Sequence, residues 1–159
     1  MTLTETIRAI ETVASSQPSI RSIVRNDIFR LNSIPDAKYA VFGWTQGQHS
    51  ANIESSFITY RFTFFYIDRL TADKKNELEV QSTGIQVLDN ILRHLETIGV
   101  YSDSDWQFTT FNQRFLDECA GVFSSVALNV PVNGICEDTF ADFNNDFNDD
   151  FNNGDAVIY

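Results

Sequence analysis

Residues 57–68 read FITYRFTFFYID, and the alternation inside this stretch decides the fold. Ile58, Tyr60, Phe62, Phe64 and Tyr66 fall at every second position, and all are apolar or aromatic. Successive side chains of a strand point to opposite faces, so these five form one continuous face of a β-strand. The other face, Phe57, Thr59, Arg61, Thr63, Phe65 and Ile67, is mixed. Twelve residues at about 3.3 Å each span about 40 Å, a length suited to a hairpin that projects toward a neighbour. Just upstream, YAVFGWT (39–45) has strand composition, and the polar run QGQHSANIESS (46–56) joins the two. The pair predicts a long β-hairpin with a connection too long for a tight turn.

A helix of matching length follows. Residues 74–98 carry Leu78, Ile85, Leu88, Leu92 and Leu95 in one stripe, widened by Val87, Ile91 and Ile98. Asp73 is the expected N-cap, Glu77 and Glu79 suit the early turns, and Gly99 fits the position after the C-cap. Twenty-five residues give about 37 Å of helix, so laying it across one face of the sheet buries both apolar surfaces. At the N-terminus, residues 3–16 predict a short amphipathic helix, with Thr2 and Glu5 at capping-box spacing and Leu3, Ile7, Ile10, Val13 and Ala14 at helical intervals. IRSIVRNDIFRL (20–31) reads as a short strand, and Ile34-Pro35-Asp36 as a turn. After a polar loop, YSDSD, strands are expected at 106–113 and 122–130, close enough through RFLDECAG (114–121) to pair; Pro131 closes the ordered body.

The expectation is therefore an α+β domain over residues 1–133. It has a mostly antiparallel sheet with a long β-hairpin, packed against one long helix and a short N-terminal helix. A 159-residue chain that is 43% hydrophobic, with 14 Phe, can build such a core. Residues 134–159 form a separate acidic, Phe-, Asp- and Asn-rich tail.

Charge divides along the same line. Up to Arg114 there are 11 basic and 13 acidic residues, net −2; from Phe115 onward there are nine acids and no Lys or Arg, net −9. The overall −11 argues against an extended phosphate-binding face. Phe140, Phe143, Phe147 and Phe151 are spaced three, four and four apart among Asp and Asn. Asp and Asn are poor helix formers, and the segment reads as a docking strap that orders on a partner, its carboxylates selecting a basic groove. A calcium loop fails there: Asp142, Asn144 and Asp146 suit positions one, three and five, but Phe147 stands where Gly is needed and no Glu follows at position twelve.

Chemistry-bearing motifs are sparse. The histidines are His49, in the polar connection beside Gln46 and Gln48, and His94, on the main helix. There is no Gly-x-Ser-x-Gly elbow, HExxH or phosphate-binding glycine loop. Cys119 and Cys136 form no CxxC and read as free thiols. The N-terminus lacks the pattern of a signal peptide, and no apolar stretch is long enough to span a membrane. No enzyme, metal site or cofactor is expected; Gln46, Gln48 and His49 are the candidate protein-contacting residues of the body, and the four tail phenylalanines those of the strap.

With these elements in order, the chain resembles the tail-terminator or tail-completion proteins of tailed phages, including those of crAss-like Bacteroidales phages. KYAVFGWTQGQHS, FITYRFTFFYIDRLTADKKNELEVQSTGIQVLDNIL and RFLDECAGVFSSVALNVPVN, within residues 38–133, carry the resemblance. It implies a virion protein of the neck or upper tail, assembled in the host cytoplasm into a closed homo-oligomeric ring, often six- or twelve-fold. Its neighbours would be portal, connector or tail proteins, with DNA passing non-specifically through the lumen. The hairpin connection would contact an adjacent subunit or ring. The rival expectation is an acidic phage-encoded inhibitor mimicking DNA; mimicry needs carboxylates spread over a folded surface, whereas here they crowd into the last third.

Overall fold

The computed structural model describes residues 1–27, 31–32, 38–51, 56–102, 105–114 and 118–131. Two helices, α1 (Leu3–Ser15) and α2 (Glu77–Thr97), accompany strands β1 (Ser22–Arg25), β2 (Val41–Gln46), β3 (Ser50–Ala51), β4 (Phe57–Arg69), β5 (Tyr101–Ser102), β6 (Thr109–Arg114) and β7 (Glu118–Pro131). They form one seven-stranded sheet in the order β1-β2-β4-β7-β5, with β3 also on β4 and β6 also on β7. Only β1 with β2 is parallel; the other pairs are antiparallel. The domain is α+β, and the long hairpin, the main helix and the short N-terminal helix all fit the expectation.

Alternation in β4 sets the layers. Tyr60, Phe62, Phe64 and Tyr66 are all buried in one core with Val122, Val126, Leu128 and Val130 of β7 and Val80, Val87, Leu88, Ile91, Leu92 and Leu95 of α2. Ile10, Val13 and Ala14 of α1 join the same core, so both helices lie on one face. The other face holds a smaller cluster of Val24, Leu31, Val41, Ile67 and Cys119. Gly84 is where α2 comes closest to the sheet: a Cβ there would stand 2.8 Å from Tyr66 Cδ1 and 2.9 Å from Val122 Cγ2. Only hydrogen fits in that gap.

Polar ties fix the helices on this face. The capping box at Thr2 and Glu5 is formed in both directions. Glu11 accepts two hydrogen bonds of 2.6 Å from Arg25 and one of 3.3 Å from the Trp44 indole, joining α1 to β1 and β2. Asp89 accepts from Arg93 Nε at 2.7 Å and from Trp106 Nε1 at 3.0 Å, and the Arg93 guanidinium lies over the Trp106 ring. The Arg93 hydrogen bond, opposed by burial and assisted by Trp106, holds the Asp89 carboxyl below the usual range. At the far end of α2, Val100 N–H reaches Leu95 O and Gly99 N–H reaches Glu96 O, with Gly99 at φ +86°. This is a Schellman ending on the glycine expected there.

Several boundaries move. The helix begins at Glu77, not residue 74, and Asn76 rather than Asp73 precedes it. Asp73 is engaged in a turn, accepting from Thr71 Oγ1 and Lys75 N, while Asn76 bridges Thr71 N and Arg69 O. Lys74 sits at φ +55°, which no helix continues through. Leu78 and Ile98 fall off the buried stripe, at 78% and 43% exposure, and Val80 and Gly84 replace them. The strand expected at 106–113 lies at 109–114, and β7 starts four residues earlier than expected, leaving three residues between it and β6. In the loop expected at 101–105, Tyr101 and Ser102 form β5 instead. Among the described residues no helix is long and apolar enough to cross a membrane.

Two outcomes follow from this core. Gly84→Ala is expected to destabilise in chemical denaturation, because overpacking costs about 1–3 kcal/mol against a helix-propensity gain of about 1 kcal/mol; a more stable variant would contradict the packing. Burial, helped by the Asp68 carboxylate, pushes the Tyr66 hydroxyl up from 10.0 to about 12. Its neutral form is favoured by folding, so that stability is intact below pH 10 and lost as pH rises toward about 12. Tyr60 is shifted the same way by burial and by Glu5. Tyr66→Phe should therefore flatten, without abolishing, the alkaline decline in unfolding free energy.

Candidate functional site

The expected contact residues Gln46, Gln48 and His49 stand together where β2 passes into β3 along β4. The strand pairing shows why they take this shape. Gln46 is opposite Phe62 and Ser50 is opposite Thr59, so three residues on one strand, Gly47 to His49, face two on the other. That is a β-bulge, which bends the strand and leaves ladder groups to be satisfied otherwise. The polar connection expected over 46–56 is thus shorter, since β3 already pairs within it. Residues 52–55 lie outside the described ones.

Arg61 and His49 complete the ladder at the bulge. Gly47 N–H donates to Arg61 O at 2.8 Å. The Arg61 N–H is given to His49 Nδ1 at 3.2 Å, so an imidazole nitrogen takes the place of a backbone carbonyl. With Nδ1 accepting, the ring proton belongs on Nε2, which lies 3.2 Å from Gln46 Oε1. Gln46 Nε2 in turn donates to Asn26 Oδ1 at 3.2 Å. The Arg61 guanidinium donates through Nη1 to Gln48 O and Ser50 Oγ, at 3.2 and 2.9 Å. The His49 ring is set edge-on to Tyr60, centroids 5.3 Å apart, and lies 5.9 Å from Phe62.

The result is a cross-tied bulge with polar groups outward. Gln46 and Gln48 are exposed and His49 is half-buried. Both nitrogens of His49 are engaged within the hairpin, which suits a structural latch more than proton transfer. Beside the bulge is an open depression of about 350 Å³, lined by Gly47, Arg61, Phe62, Thr63, Ser125 and neighbouring residues of β7. A second, of about 470 Å³, lies between Arg93, Glu96, Asp105 and Trp106. Among the described residues no group of three or more His, Cys, Asp or Glu side chains could hold a metal ion.

Sequence reasoning passed over Arg61, Ser50 and Asn26. The signal for Arg61 was present: it is the one cation in the aromatic stretch 57–68. His94 is exposed in the last turn of α2. Cys119 is buried. Phe140, Phe143, Phe147 and Phe151, like Cys136, lie outside the described residues. No protein-family model matches the chain, and no curated protein matches it in sequence.

His49→Phe keeps a ring against Tyr60 and Phe62 but removes the acceptor for the Arg61 amide. Hydrogen exchange at the Arg61 N–H should speed up more than that at Phe64, which follows only the global loss of about 0.5–1.5 kcal/mol. Unaltered protection at Arg61 would show that the ring is not its acceptor.

Proposed function

We propose that this chain is a structural subunit of a tailed-phage virion, which closes with copies of itself into a ring at the neck or upper tail and helps join head to tail. The observation that supports the reading is the hydrogen-bonded bulge in the hairpin. Its shape is fixed by hydrogen bonds among Gln46, Gln48, His49, Ser50, Arg61 and Asn26, while Gln46 and Gln48 remain exposed. A preorganised surface loses little freedom on association, which favours a permanent contact with a fixed neighbour.

Further features support it. The order of α1, long hairpin, α2 and second strand pair accords with the tail-terminator resemblance. Among the described residues no strand pairs with the outer edge of β1, and such an edge can be capped by the next subunit of a ring. The proposed neighbours are further copies, then portal, connector or tail proteins; DNA would pass the lumen without sequence-specific contact. The reading needs no catalysis and no cofactor. Four acids of the body are engaged locally, Glu11 with Arg25, Asp73 with Lys75, Asp89 with Arg93 and Glu118 with Lys74. That gives the DNA-mimic alternative no free carboxylate array to point to in those four.

Purified full-length protein should form one closed oligomer in native mass spectrometry and rings in negative-stain images. Gln48→Lys, at an exposed side chain outside the hydrogen-bond network of the bulge, should weaken assembly while leaving the thermal midpoint of the subunit unchanged. A monomer at every concentration, alone and with neck and tail components, would end this reading.

A further inference from the structure

The sheet face away from the helices is set apart from the rest of the molecule by its charge. The odd-numbered residues of β4 lie on it, and the strand registers bring Thr45, Phe111, Phe123 and Ser125 onto the same side. Asp68 and Glu118 are the only acids in any described strand, and both stand at register positions of the opposite face. The open face carries two exposed arginines instead, Arg61 and Arg69. On a chain of net charge −11, it is a local surface suited to anions.

Between the two arginines lie aromatic rings. Phe65 stands four positions, about 13 Å, from each of them along β4. Phe123 is beside Phe65 and Phe111 beyond it, with centroids 6.1 Å apart in each pair, and all three are partly exposed. Phe111 leans across its neighbouring strand: a Cβ on Gly121 would come within 2.7 Å of its Cζ and 3.0 Å of its Cε1. On the Arg61 side, the Thr63 and Ser125 hydroxyls share one hydrogen bond of 3.3 Å, which leaves one of their two protons to a ligand. Both border the 350 Å³ depression beside Arg61. Arg61 donates to Gln48 and Ser50 through Nη1 alone, and among the described residues no carboxylate pairs with it.

The geometry points to this face as a binding surface for single-stranded nucleic acid, with phosphates at Arg61 and Arg69 and bases on the phenylalanine cluster between them. Sheet surfaces hold single strands in this way, the cations taking the backbone and the rings taking unstacked bases. Arg69 already lies over the Tyr39 ring, 5.0 Å from its centroid, so a cation and an aromatic surface adjoin at that end too. A duplex keeps its bases stacked inside and would meet the arginines without using the rings. An acidic peptide would satisfy the arginines but brings no bases to cover Phe65, Phe123 and Phe111. Every base has a flat face, so the contact tolerates any sequence. The inference does not depend on ring assembly.

The test titrates the full-length chain into fluorescein-labelled oligothymidylate and follows fluorescence anisotropy. The strand should bind about tenfold more tightly than a duplex of equal length, and more weakly as salt rises. Phe123→Leu should weaken binding about tenfold, the loss of one stacked base. Arg61→Gln should lower the slope of log affinity against log salt by about one. Ser125→Glu, an exposed change that sets a carboxylate beside Arg61, should also weaken binding with circular dichroism unchanged, and it serves if Phe123→Leu fails to fold. With iododeoxyuridine in the strand, photocrosslinks should fall on peptides of β4, β6 and β7. No binding, equal affinity for the duplex or for polyglutamate, crosslinks on α1 or α2, or an affinity indifferent to these substitutions would each overturn the inference.

Discussion

The pairing of β4 with β7 is the constraint on which the rest of the molecule depends. Thirteen consecutive positions are in register, from Phe57 with Pro131 to Arg69 with Cys119. A shift of one residue would turn Tyr60, Phe62, Phe64 and Tyr66 away from α2 and bring Arg61 and Thr63 into the core, so register and burial enforce each other. Gly84 adds a steric pin, since it lets α2 descend between Tyr66 and Val122. The outer strands are secondary to this pair: β2, β3, β5 and β6 all attach to β4 or β7.

Once both helices occupy one face, the two faces become different materials. The helix side is a dry core of aromatic and aliphatic side chains. The other side grades from a small apolar cluster through partly exposed phenylalanines to the polar bulge. Arg61 belongs to both regions of interest. Its backbone closes the bulge through His49 and its guanidinium borders the depression. The bulge and the open face are therefore chemically linked, although the surfaces they offer differ.

How much of this was legible in the sequence depended on whether the signal was local. Strict alternation in 57–68, the Thr2–Glu5 capping box and Gly99 after the main helix each act over a few residues, and each was read correctly. The start of α2 is not local in this sense: Asp73 and Asn76 both suit a cap by type, and the Thr71–Asn76 turn and the positive φ of Lys74 choose between them. β7 was begun too late because Glu118 to Gly121 lack alternation and are held by β4 on one side and β6 on the other. Gln46, Gln48 and His49 were visible as polar residues in a connection. The bulge that gives them shape arises from a register offset between strands, which no single segment encodes.

Strand order in space also sets an order in time. During synthesis the aromatic face of β4 emerges well before its principal partner, since β7 is made about fifty residues later. Until then Tyr60, Phe62, Phe64 and Tyr66 can be shielded only by what already exists, chiefly β2, α1 and then α2 as it leaves the ribosome. The nascent chain thus passes through a stage with its stickiest strand open along one edge, where unpaired backbone invites misassociation with a sister chain.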